Sequence, residues 1–411
     1  MIIAQNHSTP TQACREEIKH MKKLVSLLLA LCLVLGMTVS AVAEGVPANE
    51  IKVGMICIGD ENEGYTANHI NGLRAAMETL GISEDQVIFK YNTPETEAAY
   101  EAAIDLAEQG CDIIFGTSFG HETYLYLAAE EYPDIEFCHA TGTGAMNSEL
   151  ENVHNYFTAI YEARYVSGVV AGLKLNQMIE EGKITAETAK MGYVGAFPFE
   201  EVKSGYTAFF LGARSVCPSV TMEVKFTNSW GDMALEKEAA EALIAGGCVL
   251  ISQHADTTGA PTACEAAGVP CVGYNISMIP AAPTQALVSA ACNWGAYVTY
   301  AIQCVINGEK IARDWCYGYV DGAVYTTELN EAAVAPGTAE KVAEVEAALK
   351  AGTLHVFDTS TFTVNGETLT TYTTAYGLDG IEMVSDGYFH ESEVRSAPYF
   401  GIDIDGISMV E

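Results

Sequence analysis

Basic residues are scarce in this chain. Only 20 lysines and arginines stand against 54 aspartates and glutamates, a formal charge of −34 over 411 residues. A surface of that sign repels phosphate backbones and anionic lipid headgroups, which excludes nucleic-acid and membrane-surface binding as main functions. Beyond residue 43 no stretch approaches the roughly 20 consecutive apolar residues that span a bilayer. GxxxxGK[ST], HExxH, CxxC and a helix-opening GxGxxG are all missing, so P-loop, zinc-protease, thiol-redox and dinucleotide chemistry have no footing. His69, His139 and His254 stand at no metal-ligand spacing and read as hydrogen-bonding partners. Neither metal nor cofactor is expected.

What remains is a chain that is 49% hydrophobic with 37 glycines, long enough for two ordinary domains. Met21-Lys22-Lys23, the apolar run 24–37 and Ala41-Val42-Ala43 have the order of a secretory leader, with residues 1–20 an upstream extension. The protein is therefore expected outside the cytoplasm, in the periplasm or on the outer face of the cell membrane. Cys32 raises lipid anchoring, but it follows Leu31 where a small residue is usual, and processing after Ala43 is the favoured alternative. Ten cysteines lie beyond residue 43, several inside apolar runs where a thiol packs as a small hydrophobe. Cys264 and Cys271 are the two near enough in sequence to suggest a pair.

From Ile51 onward, short apolar runs alternate with amphipathic stretches. Strands are expected at 51–58, 87–91, 112–116 and 135–140, with helices at 64–80, 95–109 and 122–131 whose apolar residues recur every three or four positions. After a linking strand (153–158) and a long helix (161–179) the order restarts. Strands at 191–195, 222–227, 249–253 and 269–274 then alternate with helices at 200–216, 233–245 and 257–267. Such alternation builds mostly parallel sheets. Two similar halves predict two lobes: 50–158 with about 280–318, and 159–279 with about 319–352. A strand at 286–290 and a helix at 297–306 are expected to cross back to the first lobe. The tail 353–411, rich in Thr, Tyr and Gly, predicts a strand-rich extension.

Ligands of open parallel sheets gather beyond the carboxyl ends of the strands. The residues there in the first half are Tyr65, Thr66 and His69, then Ser118 and Phe119, then Thr141; in the second half they are Phe197, Trp230, His254, Asp256, Tyr274 and Asn275. Aromatic rings from two lobes sandwich a flat heterocycle, while carboxylate, amide and imidazole groups meet its nitrogen edges. The set suits a purine. Phe197, Phe199 and Tyr274 also suit plain roofing of the sheets, whereas Tyr65 and Trp230 sit in polar, glycine-containing turns where a core residue is less expected. Gly116-Thr117-Ser118-Phe119-Gly120 matches the GxSxG nucleophile elbow. A hydrolase would also need an acid and a histidine, for which Asp256 with His355 or His390 are the formal candidates, and an oxyanion loop of HGGG type, which is absent. No enzyme is expected. A secreted hydrolase using Ser118 and a ligand-sensing module for a membrane kinase remain as alternatives. Glu200-Glu201 opens a helix, where carboxylates favour the N-terminal dipole.

The strings Gly64-Tyr65-Thr66 with His69, Thr117-Ser118-Phe119-Gly120, His139-Ala140-Thr141-Gly142, Asn228-Ser229-Trp230, Gln253-His254-Ala255-Asp256 and Asn293-Trp294-Gly295 resemble the basic membrane protein (BMP) family of ABC-transporter solute-binding proteins, which includes purine-nucleoside receptors. The similarity runs from about 51 to 308. It implies a type I periplasmic-binding fold, two Rossmann-like α/β lobes with parallel sheets joined by a three-strand hinge, closing on a purine-like ligand without chemistry. ABC permease and ATPase subunits are the implied partners. Carried onto this chain, Tyr65 stacks on the ligand, Phe119 and Trp230 line the cleft and Asp256 is a polar anchor. Tyr161, Glu162 and Arg164 brace the hinge, with Arg164 in an internal ion pair. Tyr65 stands where similar sequences usually carry Trp, and Asn62 where Asp is common; either change bears on base against nucleoside.

Overall fold

The computed structural model describes residues 45–374 and 380–410. The expected leader, with Cys32 and Ala43, lies outside the described residues. The first half runs β1 (Val53–Ile56), α1 (Gly64–Leu80), β2 (Val87–Lys90), α2 (Glu97–Glu108), β3 (Ile113–Gly116), α3 (Glu122–Glu131), β4 (Glu136–Ala140) and β5 (Val153–Thr158). The second runs α4 (Ile160–Glu180), β6 (Lys190–Gly195), α5 (Glu200–Val216), β7 (Thr221–Phe226), α6 (Met233–Ala245), β8 (Leu250–Gln253), α7 (Gly259–Ala267), β9 (Cys271–Tyr274) and β10 (Ala286–Cys292). Then come α8 (Trp294–Asn307), β11 (Asp314–Tyr317), β12 (Val324–Thr326) and α9 (Thr338–Lys350), and three short strands, β13 (Val384–Ser385), β14 (Tyr388–Phe389) and β15 (Ile407–Met409).

The first sheet has the order β2-β1-β3-β4-β5-β11, all parallel. The second has β15-β7-β6-β8-β9-β10-β12, parallel except where β12 runs against β10. Each sheet thus has its first strand flanked by its second and third, so the order reverses between β1 and β3 and again between β6 and β8. The crevices at those two reversals are where such sheets hold ligands. Full burial of β1, β3 and β8 on both faces explains why they read as unbroken apolar runs. The chain passes between the sheets three times: from β5 into α4, from β10 into α8, and from β11 into β12.

Local chemistry sets the element ends. The Glu63 carboxylate caps α1 by accepting from the Tyr65 and Thr66 amides, and the helix stops at Gly81, whose φ of 71° a side chain would strain. Asp232 caps α6 in the same way through the Ala234 and Leu235 amides. Helices α4 and α5 pack backbone to backbone through glycines. A Cβ at Gly168 would sit 2.0 Å from the Phe209 carbonyl oxygen and one at Gly212 would sit 2.0 Å from that of Tyr165, so neither position tolerates a side chain.

Two expectations are corrected. The strand expected at 286–290 to return to the first lobe is β10, and it extends the second sheet beside β9; the return is made by α8 and β11. The tail is not strand-rich. Its described residues beyond 352 hold three strands of two or three residues, and β15 adds to the second sheet at β7. Elsewhere the tail is held by side chains bonded to backbone groups, as when Glu391 accepts from the Tyr399 and Phe400 amides at 2.6 and 2.8 Å. Cys264 and Cys271 are free thiols. Among the described residues no helix is long and apolar enough to cross a membrane, and no group of three or more His, Cys, Asp or Glu side chains is arranged to hold a metal ion.

Candidate functional site

The loops leaving β1, β3 and β4 face those leaving β6, β7, β8 and β9 across a narrow cleft. From the first lobe Ile58, Tyr65, Ser118, Phe119 and Thr141 line it; from the second Glu201, Trp230, His254, Asp256 and Tyr274 do. The two sides already touch. The Gly64 amide donates to the Asp256 carbonyl at 3.0 Å, and the Phe119 and Phe199 rings meet at 5.7 Å. A Cβ on Gly64 would lie 3.0 Å from that carbonyl oxygen, so glycine is what permits the approach.

On the first-lobe wall the Tyr65 hydroxyl donates to the Thr117 carbonyl at 2.5 Å, and its ring stands edge-on to His69 at 4.6 Å. The Ser118 hydroxyl donates to Glu95 at 2.7 Å, and the same Glu95 oxygen accepts from the Gly120 amide at 2.7 Å. Among the described residues no histidine nitrogen bonds that hydroxyl; His139 instead bonds the Ser118 carbonyl at 2.7 Å. His390 pairs with Ser385 and Glu393, and His355 stacks on Tyr388 at 3.7 Å, all within the tail. The GxSxG match therefore lacks its base. Thr141 holds a φ of 65°, rare for a β-branched residue, and Asn228 and Asn275 are left-handed too, so strained backbone gathers at the strand ends beside the cleft.

The second-lobe wall is ionisable. Asp256 accepts from the Asn275 amide at 3.0 Å, and burial, reinforced by the negative charges of Glu63, Glu236 and Glu201, holds its carboxyl far above the usual carboxylate range. Burial thus favours the protonated form, which can donate as well as accept. His254 lies 3.1 Å from Glu201 through Nε2, and burial followed by the nearby Arg164 charge keeps the imidazole below its ordinary pKa. A neutral ring donating from Nε2 to that carboxylate leaves Nδ1 as an acceptor, and Nδ1 has no hydrogen-bond partner. Behind these groups Arg164 is fully buried, donates to the Gln253 carbonyl at 2.7 Å and sits 3.7 Å from the centre of the Tyr274 ring. The expected ion pair is absent among the described residues: the ring face and a carbonyl take the place of a carboxylate. Glu162 accepts from the Tyr319 amide at 2.7 Å, and the Tyr161 hydroxyl donates to the Glu391 carbonyl at 3.2 Å.

Four expected site residues stand behind the lining. Thr66 is buried and accepts from the Gly59 amide at 3.2 Å. His69 stacks on Trp294 at 4.2 Å, and burial keeps it neutral. Phe197 stacks on Phe199 at 5.2 Å and meets Trp230 edge-on. Asn275 orients Asp256. Ile58 and Glu201 line the cleft unforeseen. Glu201 lies in the first turn of α5, the counterpart of Tyr65 in α1, and that shared position was the available signal.

A sequence profile of the Bmp family, described as ABC transporter substrate-binding protein PnrA-like, matches residues 51–351. A purine-binding protein of Brucella abortus is 33% identical over 310 residues, covering 75% of this chain and 83% of that protein. A putative ABC transporter glucose-binding protein of Haloferax volcanii is 35% identical over 252 residues, covering 61% of this chain and 59% of that protein. An ABC transporter system solute-binding protein of Aeropyrum pernix K1 matches in fold with a TM-score of 0.63 at 18% identity, over 75% of this chain and 93% of its own. The architecture is the two-lobed type I periplasmic-binding fold. A profile match over most of the chain and a cleft at two strand-order reversals lead to one conclusion: this chain belongs to the Bmp family of PnrA-like ABC-transporter substrate-binding proteins.

Proposed function

We propose that the protein is an exported receptor that captures a purine base or nucleoside, adenine-like by preference, between its lobes and delivers it to the permease and ATPase of an ABC importer. The observation that carries this reading is the pairing of aromatic rings with two buried titratable groups, Asp256 and His254, whose charged forms burial disfavours, in one cleft. A purine edge alternates ring-nitrogen acceptors with N–H donors, and a carboxyl that donates when protonated and accepts is its complement. The Brucella abortus relative, a purine-binding protein, supports the same class. The contacts Gly64–Asp256 and Phe119–Phe199, which need the lobes together, support closure about the three crossovers; a ligand touching both walls shifts the population toward that state.

A hexose is the second reading. The Haloferax volcanii relative is a putative glucose-binding protein, and Glu201 and Asp256 beside Trp230 would suit sugar hydroxyls over an aromatic face. A thermal-shift panel of adenine, hypoxanthine, adenosine, glucose and amino acids separates the two. Ligand at a hundredfold excess over Kd adds about 2.7 kcal/mol of stability. A shift with purines alone supports the first reading; a shift with glucose alone replaces it with the second.

A further inference from the structure

The tail contributes to the cleft. Phe119, Thr141 and Glu201 line the inner cleft and also a larger outer space, open to solvent, so the two adjoin. The outer space is lined in part by Arg395, Ala397 and Pro398, which lie beyond the 51–351 span that the family profile covers.

The loop that carries them is built to hold a shape. At its base the Glu391 carboxylate, 3% exposed, accepts from the Tyr399 and Phe400 amides. Inside it the Arg395 guanidinium donates to the Ala397 and Pro398 carbonyls at 3.0 Å each and stacks on the Tyr399 ring at 3.6 Å. It is tied to both sides. The Tyr161 hydroxyl of α4 donates to the Glu391 carbonyl, and Ser396 donates through its amide and its hydroxyl to Asp314 of β11 in the first sheet.

We infer that the loop 391–400 is a ligand-facing wall, and that the outer chamber it lines takes an uncharged hydroxylated or a cationic substituent on the flat ring and rejects an anionic one. The polar groups of the chamber are chiefly acceptors, the Glu200 and Glu201 carboxylates with the Thr141 and Thr143 hydroxyls. The one cation among its described lining residues, Arg395, has two of its donor nitrogens engaged by its own loop. Hydroxyl and ammonium donors match such a chamber, and a phosphate would face two carboxylates against one engaged guanidinium.

This inference rests on the proposed purine site, and calorimetric titration with adenine, adenosine and adenosine monophosphate tests both. The wild-type protein is expected to bind adenosine at least as tightly as adenine and the monophosphate at least a hundredfold more weakly. Filling the chamber by Ala397→Leu, or from the opposite wall by Thr143→Leu should the first variant fold poorly, is expected to weaken adenosine at least tenfold and leave adenine within threefold. Equal effects on both ligands, no effect on either, or tight binding of the monophosphate overturns the inference alone. Failure of the wild-type protein to bind any of the three overturns the purine reading and the inference with it.

Discussion

On the first-lobe side of the cleft the polar side chains already have partners: the Tyr65 hydroxyl on Thr117, the Ser118 hydroxyl on Glu95, the Thr66 hydroxyl on the Gly59 amide. Among the residues lining the second-lobe side, His254 Nδ1 is buried without a hydrogen-bond partner. The two walls stand on one repeated strand order and yet differ in that group. A satisfied wall is a rigid shelf, good for stacking. Buried unsatisfied groups each cost about 1–3 kcal/mol, a cost that a ligand relieves when it supplies the missing partner. In the proposed receptor, discrimination between ligands falls to the second-lobe lining.

The sharpest way to break this comparison is to truncate one group on each wall and measure affinity by calorimetry. Asp256→Ala should weaken purine binding by about 2–3 kcal/mol, roughly 30- to 150-fold. Asp256→Asn, neutral and still able to donate and accept, should retain most of the affinity. Tyr65→Phe, which removes only a hydroxyl already bonded to backbone, should change affinity less than threefold. A Tyr65→Phe loss as large as that of Asp256→Ala would end the distinction between the walls. Trp230→Ala, which removes an aromatic face from the second wall, should cost about 1.5–2 kcal/mol of binding.

Secondary structure was legible where apolar residues recur at helical spacing. Helices α1, α3, α5 and α6 begin and end where the sequence pattern places them; Glu63, Gly81 and Asp232 mark the ends of α1 and the start of α6, while α3 and α5 start without a side-chain cap. The lobe that owns β10 was not legible, because a strand buried along its whole length reads the same in either sheet and only non-local pairing with β9 decides. The tail was misread for a related reason. Its alternating polar and apolar residues suggest strands, but the clasps that hold it, Glu391 on its own loop and Ser396 on Asp314, join residues whose proximity no local pattern encodes. Within the site, strand-end position found Tyr65, Trp230 and Asp256. It does not tell the lining residue from its support, as with Asn275 and His69, and a first-turn glutamate such as Glu201 reads equally as dipole compensation.

The walls should also differ in their response to pH. Glu236, fully buried beneath the Asp256 loop, accepts from the Thr257 amide, and burial pushes its carboxyl up to about 7. Because the unfolded chain releases this proton near the ordinary value of 4.5, folded stability falls as pH rises from there through 7. Glu236→Gln removes that slope. It should raise stability at pH 8 by on the order of 1–2 kcal/mol, after allowing for weaker hydrogen bonds to Thr257, and leave it nearly unchanged at pH 4, as read by denaturant unfolding at the two pH values. The smallest effect is expected on the shelf. Ser118→Ala should cost about 0.5–1.5 kcal/mol of stability through the lost bond to Glu95, with ligand affinity unmoved in calorimetry.

The central claim, that ligand sits against the second-lobe wall of this cleft, is tested most directly by tryptophan emission. The chain has three tryptophans; Trp294 and Trp315 are 1% and 7% exposed in the core, and Trp230 lines the cleft. Titration with adenine should change the emission saturably in the wild-type protein. In Trp230→Phe the change should vanish, although calorimetry still registers binding. An emission change of equal size in Trp230→Phe, or calorimetric binding with no change in the wild-type protein, would place the ligand elsewhere and contradict the account.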